Sequence, residues 1–286
     1  MILITGGTGT TGREVVRLLQ QAAQPFRVFS RNKDQAQALL GDGVSVVQGD
    51  LNDPESLDEA FDGARRLFLL TAPDPHQVEQ EAHALEMAEA AGVEHIVKLS
   101  VLGASEDSPV SFGRWHASTE LQLLESDIPT TILRPHYFMQ NMLMMAPQIA
   151  ATGSFALPMR DGRIGMIDVR DVAAVACKTL MSDGHQGRTY DLTGSEAIGF
   201  ADVASILSEK LGRSVQYVDV PPNEAEKYML DAGLPNWLAD SLLTLYGIYA
   251  AGHASECTQF VQEITGQAPR SFGDFVDDHA NAFGTV

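Results

Sequence analysis

The first half of the chain alternates short apolar runs with longer amphipathic segments. The apolar runs are typical of strands buried in a parallel sheet, and the longer segments repeat apolar residues at helical spacing. Strands are predicted over Met1–Thr5, Phe26–Ser30, Val44–Gln48, Arg66–Thr71, His95–Ser100 and Thr130–Arg134. Helices are predicted over Thr11–Ala23, Lys33–Leu40, Pro54–Phe61, Pro75–Ala91 and Arg114–Ser126. Strands joined in this way by helices predict an α/β fold with a doubly wound, Rossmann-type parallel sheet.

The second half of the chain is less regular. Gly153–Met166 is rich in turn residues and is predicted to be a short hairpin or loop. Asp168 is placed to cap a helix over Val169–Met181, and Arg188–Leu192 is predicted to add a strand to the main sheet. From Phe200 onward, helical segments broken by proline and glycine predict a smaller, mainly helical part. We place the sheet domain at residues 1–135 plus about 163–193, and the smaller part at about 136–162 and 194–286, with a cleft between them.

A glycine-rich loop, Gly6–Gly12, follows the first predicted strand and precedes the first predicted helix. A tight turn needs a residue without Cβ, a bound pyrophosphate needs a second, and close packing of the helix needs a third. Helix N–H groups then meet the phosphate. Gly7, Gly9 and Gly12 satisfy the dinucleotide-binding spacing, although the same glycines also suit a simple turn.

The end of the second predicted strand selects between nicotinamide cofactors. NAD sites place a carboxylate there for the ribose hydroxyl, whereas this chain has Ser30, Arg31 and Lys33. A guanidinium, a hydroxyl and an ammonium suit a 2′-phosphate, which predicts NADPH with Arg31 as its main contact. The alternative is a solvated basic loop.

Small and polar residues follow the next strands, at the sheet edge where open α/β sheets bind ligands. Asp50 is placed either to accept from an adenine amino group, with Leu51 packing on the ring, or to cap the following turn. Thr71, Ala72 and Pro73 let the chain pass close to the ribose and nicotinamide, and Ser100 ends the fifth strand.

The composition narrows the classes of function. Nineteen basic residues against 38 acidic ones give a net charge of −19, which disfavours binding to nucleic acids and anionic membranes. Two cysteines and eight scattered histidines, without CxxC or HExxH spacing, predict no disulfide framework and no metal site. The absence of a signal-like N-terminus and of long apolar runs leads us to expect a cytoplasmic protein.

Several of these motifs resemble the NmrA-like atypical short-chain dehydrogenases/reductases. The glycine loop, Arg31, Gly49-Asp50-Leu51 and Leu133–Asn141 are similar to that family, within which the chain is most similar to the quinone oxidoreductases and triphenylmethane reductases. Ala268–Phe272 also resembles bacterial members and the fungal ergot-alkaloid reductases. The resemblance implies further cofactor contacts in the Leu133–Asn141 stretch. The predicted set is Gly6, Thr8, Gly9, Thr10, Thr11, Gly12, Ser30, Arg31, Lys33, Asp50, Leu51, Thr71, Ala72, Pro73, Ser100, His136, Tyr137, Phe138 and Asn141.

The catalytic Tyr-x-x-x-Lys of typical short-chain dehydrogenases is absent. None of the six tyrosines is followed four residues later by lysine, and the corresponding helix carries His116-x-x-x-Glu120 instead. At this spacing both side chains share a helix face, so His116 is predicted to approach the nicotinamide or substrate while Glu120 orients it or fixes a loop. The alternative is a helix-surface pair or a partly buried histidine. Tyr137 is the third predicted catalytic residue.

Aromatic and methionine side chains are candidates for an acceptor pocket, because aromatics stack on planar molecules and methionine adapts to varied shapes. Most of them could equally be core residues. The candidates are Trp115, Tyr137, Phe138, Met139, Met142, Met144, Met145, Phe155, Met159, Tyr228, Trp237, Tyr246 and Tyr249.

These observations predict an NADPH-dependent reductase that transfers hydride to a quinone or a similar conjugated electrophile without flavin. Such acceptors delocalise or cancel charge, so they need no strong acid. The alternatives are a non-enzymatic NADP(H)-sensing regulator and an imine, iminium or dye reductase. An isomerase or epimerase is disfavoured by the missing acid–base pair. The predicted partner is a planar small molecule, and the assembly is left open to a homodimer.

Overall fold

The computed structural model describes residues 1–284. Its strands are β1 (Ile2–Ile4), β2 (Phe26–Ser30), β3 (Val46–Gln48), β4 (Arg66–Leu69), β5 (His95–Leu99), β6 (Thr130–Pro135), β7 (Ser154–Leu157), β8 (Arg163–Ile164), β9 (Thr189–Leu192), β10 (Ile198–Gly199) and β11 (Gln216–Asp219). Its α-helices are α1 (Thr10–Gln21), α2 (Lys33–Leu40), α3 (Asp58–Phe61), α4 (Gln77–Ala90), α5 (Ser111–Glu125), α6 (Met142–Thr152), α7 (Val169–Met181), α8 (Phe200–Leu211), α9 (Pro222–Asp231), α10 (Asn236–Ala250), α11 (Phe260–Thr265) and α12 (Phe272–His279). Short 3-10 turns lie at Pro54–Ser56, Met139–Asn141 and Ala280–Phe283.

The first of two compact units contains a seven-stranded sheet in the order β3-β2-β1-β4-β5-β6-β9. This unit comprises Met1–Ser108, Phe112–Pro135 and Val169–Asp191. The pairings among β1 to β6 are parallel. Helices connect successive strands, so the predicted Rossmann-type α/β fold is confirmed.

The interior of this sheet explains why its strands read as continuous apolar runs. Every residue of β1 and β5 is buried, which leaves no room for the alternation of a half-exposed strand. Helix α1 buries Val15, Val16 and Leu19, which recur at helical spacing, and packs against α7. Apolar side chains from the sheet strands and from helices α3 and α4 form one core cluster, which includes Phe61 and Leu67.

Two predicted helices of this unit begin differently in the structure. The segment predicted as Pro54–Phe61 divides into a 3-10 turn and α3, because Ser56 Oγ binds the backbone of Asp50 and holds the first turn to the preceding loop. Helix α4 begins at Gln77 rather than at residue 75. There the Asp74 carboxylate accepts from the backbone N–H of His76 and forms a turn.

The second unit contains the remaining strands and most of the later helices. It comprises Pro109–Ser111, His136–Asp168 and the chain from Leu192 onward. The predicted hairpin or loop at Gly153–Met166 is wrong: β7 pairs in parallel with β11, and β8 pairs antiparallel with β10. The partner strands lie far along the chain, so local turn residues gave no signal for them.

An aromatic and aliphatic core holds the second unit together. Phe155, Phe200 and Tyr217 pack ring against ring, with centroids 5.6 to 6.2 Å apart. The domain boundary predicted at about residue 163 differs from this division, because β8 pairs within the second unit. Among residues 1–284, no helix combines the length and the apolar character needed to cross a membrane.

Candidate functional site

The glycine loop forms the turn between β1 and α1. Gly6 has φ +62°, and a Cβ on it would lie 2.7 Å from the carbonyl oxygen of Leu70. A Cβ on Gly12 would lie 2.1 Å from the carbonyl oxygen of Gly6, far inside contact distance. The fold therefore requires both glycines, one for the turn and one for the close approach of α1 to that turn.

Gly9 differs from these two glycines because neither its backbone conformation nor its neighbours require a residue without Cβ. It is exposed, its backbone is extended at φ −76° and ψ 175°, and it immediately precedes the first residue of α1. A Cβ there would meet only the carbonyl oxygen of Gly6, at 3.3 Å. The bare backbone of Gly9 keeps the N-terminus of a 12-residue helix open, which fits a phosphate group. Thr10 is exposed beside it, Thr8 is half-buried and Thr11 is buried.

Two exposed cations follow β2. Arg31 and Lys33 flank Asn32, whose side chain caps α2 by accepting from the backbone N–H of Gln35 at 2.9 Å. Within residues 1–284, neither cation takes part in an ion pair. Ser30 Oγ makes two long hydrogen bonds to the backbone of Asn32, donating to its carbonyl at 3.3 Å and accepting from its N–H at 3.4 Å. The charges at this strand end are therefore available to an anion.

Asp50 caps the turn after β3, which was one of the two alternatives for it. Its Oδ1 accepts from the backbone N–H of Asn52 at 3.0 Å and from the Asn52 side chain at 2.9 Å. Leu51 is 9% exposed and belongs to the core of the first unit. The proposed contacts of these residues with an adenine ring stay predictions.

The segment Leu70–Pro73 leaves the end of β4 beside the glycine loop. The hydroxyl of Thr5 accepts from the backbone N–H of Leu70 at 2.8 Å and donates to carbonyl oxygens of β4 and Leu70. Thr71 is half-buried, while Ala72 and Pro73 are exposed. The ends of β1 and β4 are thus tied together, with two small residues at the surface where a ligand of the sheet edge would lie.

A fully buried ion pair lies behind this segment, and sequence reasoning missed it. Lys98 Nζ donates to Glu81 Oε1 at 2.5 Å and to the carbonyl of Leu99 at 2.8 Å, and both charged side chains are 0% exposed. Thr71 Oγ1 donates to the same Glu81 oxygen at 2.5 Å. The available signal was a lysine inside the buried strand β5, directly after Ile96 and Val97.

His116 lies in α5 and is 6% exposed. The imidazole hydrogen-bonds to the side chain of Gln77 rather than to Glu120, and His116 Nδ1 lies 3.0 Å from Gln77 Nε2. Burial first, and the charge of Lys98 second, hold the pKa of His116 well below 6.5. The imidazole is therefore neutral near pH 7 and is a weak proton donor.

Glu120 is engaged by other partners. Its carboxylate accepts from both Nε and Nη2 of Arg134, at the end of β6, and from the hydroxyl of Ser100, at the end of β5. This hydrogen bond to Glu120 raises the pKa of Arg134. Glu120 therefore joins the ends of β5 and β6, and among residues 1–284 it makes no hydrogen bond to His116. Its predicted role in fixing a loop stays a prediction. Ser100, a predicted cofactor contact, uses its hydroxyl in this network.

Tyr137 and Asn141 lie in the second unit. The Tyr137 ring packs edge-on against Phe200 and Tyr249, with centroids 6.1 and 6.2 Å apart, and is 9% exposed. Burial raises the pKa of its phenol well above 10, and its hydroxyl hydrogen-bonds to Asn141. The phenol stays protonated at neutral pH, and its catalytic role stays a prediction. Phe138 is half-buried and bridges to Ile167.

Both ring nitrogens of His136 are used inside the second unit. Nδ1 accepts from the backbone N–H of Tyr137 at 2.7 Å, so Nε2 carries the proton and donates to the carbonyl of Ala254 at 3.0 Å. Burial lowers the pKa of His136 from 6.5 to about 4, and the bond to Ala254 offsets only part of that shift. Both ring nitrogens of His136, a predicted cofactor contact, therefore already have hydrogen-bond partners in the protein backbone.

This histidine should make folding stability depend on pH. The unfolded chain binds a proton at His136 below pH 6.5, whereas the folded chain stays neutral until about pH 4. The stability contributed here is complete above pH 6.5 and is lost as pH falls to about 4, at up to about 1.4 kcal/mol per pH unit. Urea unfolding across this range should give a shallower pH slope for His136→Gln than for the wild type. Parallel curves would contradict the assignment.

The acceptor-pocket candidates divide by exposure. Met142, Phe155 and Met159 are 0% exposed, so for them the core alternative is correct. Met144 and Tyr228 are 72% and 54% exposed. The remaining candidates are buried or half-buried, namely Trp115, Tyr137, Phe138, Met139, Met145, Trp237, Tyr246 and Tyr249. Only side chains with accessible surface remain candidates for contact with an acceptor.

Metal ligands do not converge in the part of the chain that the structure describes. No group of three His, Cys, Asp or Glu residues there could hold a metal ion. Cys177 is buried and Cys257 is half-buried, and both thiols are free.

Comparison with known proteins decides the family. The model of the NmrA-like family matches residues 1–268. The chain belongs to the NmrA-like family. The NmrA-like protein is also 40% identical over 286 residues to the NAD(P)H azoreductase of Xenophilus azovorans, with 100% of each chain covered. The resemblance inferred from the sequence motifs is therefore confirmed.

Solved structures show the same fold with nicotinamide cofactors. The NADPH-dependent quinone oxidoreductase of Escherichia coli, complexed with NADPH, matches with a TM-score of 0.89 and 30% identity, covering 98% of this chain and 100% of that one. The triphenylmethane reductase of a Citrobacter species, complexed with NADP(H), matches with a TM-score of 0.87 and 27% identity, covering 97% and 99%. The fold of the NmrA-like protein thus matches these two reductases over nearly its whole length.

Proposed function

We propose that this protein is an NADPH-dependent reductase that transfers hydride to a quinone or a similar conjugated electrophile without a flavin. The observation that carries the proposal is the state of the residues that stand in place of Tyr-x-x-x-Lys. His116 is buried and neutral, and Glu120 is bound to Arg134 and Ser100. His116 is a weak proton donor and the Glu120 carboxylate is taken up by Arg134 and Ser100, so the site suits an acceptor that needs no acid beside it.

The residues of the first unit fit NADPH. The exposed Gly9 and the N-terminus of α1 would hold the pyrophosphate, and Arg31 with Lys33 would hold the 2′-phosphate. Thr71, Ala72 and Pro73 would lie along the ribose and nicotinamide. When bound, the cofactor supplies hydride, and the protein supplies its position and orientation.

The proton balance explains the choice of acceptor. Reduction of a simple ketone leaves an alkoxide, which needs an acid beside it as it forms. A quinone spreads the added charge over its ring, so its proton can come from water after hydride transfer. An azo group beside aromatic rings likewise spreads the added charge, whereas iminium and triarylmethyl cations are neutralised by the hydride and need no proton. The names of the azoreductase and triphenylmethane reductase relatives favour including dyes.

The test is a turnover screen on purified protein. NADPH and NADH are titrated by fluorescence, and NADPH oxidation is then followed with quinones, azo dyes, triarylmethyl dyes, imines and simple ketones. We expect NADPH to bind more tightly than NADH, with turnover of conjugated acceptors at least about tenfold faster than of ketones. The absorption spectrum before the assay and the rate after exhaustive dialysis test independence from flavin.

Three outcomes would contradict the proposal. Equal rates with ketones would show that the site supplies an acid. A rate that requires added flavin would show that hydride does not pass directly to the acceptor. Tight NADPH binding without turnover across the screen would favour the NADP(H)-sensing regulator.

A further inference from the structure

The Lys98–Glu81 pair is unusual because it places two opposite charges in the interior of the first unit. Both side chains are 0% exposed, and burying two charges costs more than an isolated pair normally returns. Glu81 Oε2 is also buried and finds no hydrogen-bond partner among the described residues. An apolar pair of similar size would satisfy this position better, so packing alone gives no reason for the charges.

The hydrogen bonds of the pair lead to the segment Leu70–Pro73. Glu81, from α4, accepts from the hydroxyl of Thr71, and Lys98, from β5, donates to the same Glu81 oxygen. On its other side, the same segment is held to β1 by the hydroxyl of Thr5 and lies against the turn at Gly6. The segment is therefore fixed from both sides, by the glycine loop on one and by the buried pair on the other.

We propose that the Lys98–Glu81 pair positions the cofactor by holding the segment Leu70–Pro73 at a fixed spacing from the glycine loop. The two charged residues do not touch the cofactor and act through Thr71. Lysine suits this task because its ammonium binds Glu81 and the carbonyl of Leu99 together, which joins α4 to the end of β5. This inference rests on the NADPH site of the proposed function.

A double-mutant cycle tests the inference. The variants are Lys98→Met/Glu81→Met, Thr71→Val and the triple combination. The apolar pair should keep the melting temperature within about 5 °C of the wild type, because it removes both charges together. Its Kd for NADPH should rise about tenfold, because the segment is no longer held in place. Thr71→Val should raise Kd similarly and should add little in the triple variant, whereas Thr71→Ser should restore binding.

The matched control is Arg65→Met/Glu94→Met. This exposed ion pair lies directly before β4 and β5, at the N-terminal ends of the two strands, whereas the segment Leu70–Pro73 follows the C-terminal end of β4. The control should leave the Kd for NADPH unchanged. An effect seen only with the buried pair then comes from its place beside Thr71 and not from the loss of an ion pair as such. With a working acceptor, the apolar pair should also raise KM for NADPH and lower kcat.

The decisive readout is the Kd for NADPH, measured without an acceptor. Wild-type binding by either the apolar pair or Thr71→Val would overturn the inference and leave the proposed function intact. Additive losses in the triple variant would also overturn it, because Thr71 would then act on the cofactor directly. If the apolar pair does not fold, wild-type binding by Thr71→Val alone overturns the inference. A wild type that does not bind NADPH would instead defeat the proposed function.

Discussion

Gly12→Ala is expected to lower the free energy of unfolding by about 3 kcal/mol, whereas Gly9→Ala leaves it nearly unchanged. A Cβ on Gly12 would lie 2.1 Å from a backbone oxygen and would push α1 away from the turn. A Cβ on Gly9 would meet one oxygen at 3.3 Å, with a backbone conformation that alanine adopts readily. Urea unfolding of both variants measures the difference.

The same two variants should rank in the opposite order for binding. Gly9→Ala should weaken NADPH binding by about a hundredfold while the fold is retained, since a methyl group would occupy the place of the pyrophosphate. Fluorescence titration of the folded variant measures this loss. If Gly9→Ala binds NADPH like the wild type, the loop does not hold a pyrophosphate at that residue.

Arg31→Ala is expected to raise the Kd for NADPH by about 30-fold and to leave the Kd for NADH within about twofold. The guanidinium is exposed and takes part in no ion pair within residues 1–284, so its removal leaves no buried charge behind. Lys33→Ala should have a smaller effect in the same direction, because an ammonium cannot bind phosphate through two parallel donors. Titrations with both cofactors give the two ratios.

Arg17→Ala is the control for this prediction. It makes the same change in net charge, on the same unit, but removes an arginine paired with Glu14 on α1. The control should bind both cofactors like the wild type. An equal loss of NADPH and NADH affinity in Arg31→Ala would mean that Arg31 does not read the 2′-phosphate.

Much of the first unit could be read from the chain because its signals are local. Each predicted strand of the main sheet is present, with ends within two residues of the predicted ones. A buried parallel strand is a continuous apolar run, and the helix that follows repeats apolar residues at its own spacing. The glycine loop could also be predicted from the sequence. A Cβ on Gly12 would collide with Gly6, close by in the chain, and a Cβ on Gly6 would collide with Leu70, directly after β4.

The sequence pattern failed where partners are distant. The pairing of β7 with β11 joins residues about 60 positions apart, and turn residues near β7 suggested a hairpin instead. His116-x-x-x-Glu120 correctly placed two buried residues on one helix. It could not show that Glu120 binds Arg134 or that His116 binds Gln77, because those partners lie on other elements.

The sequence by itself determined the α/β class, the family, the glycine loop and the cations that follow β2. These features depend on residue types at short spacings, where steric and hydrogen-bonding requirements act between neighbours. Only the tertiary structure decided the charge state and partners of the site residues. Burial and the charge of Lys98 keep His116 neutral, and Arg134 and Ser100 hydrogen-bond to Glu120. The Glu81 carboxylate that binds Lys98 also accepts from Thr71. Electrostatic energies depend on distance and burial in space, and neither can be read from the order of residues.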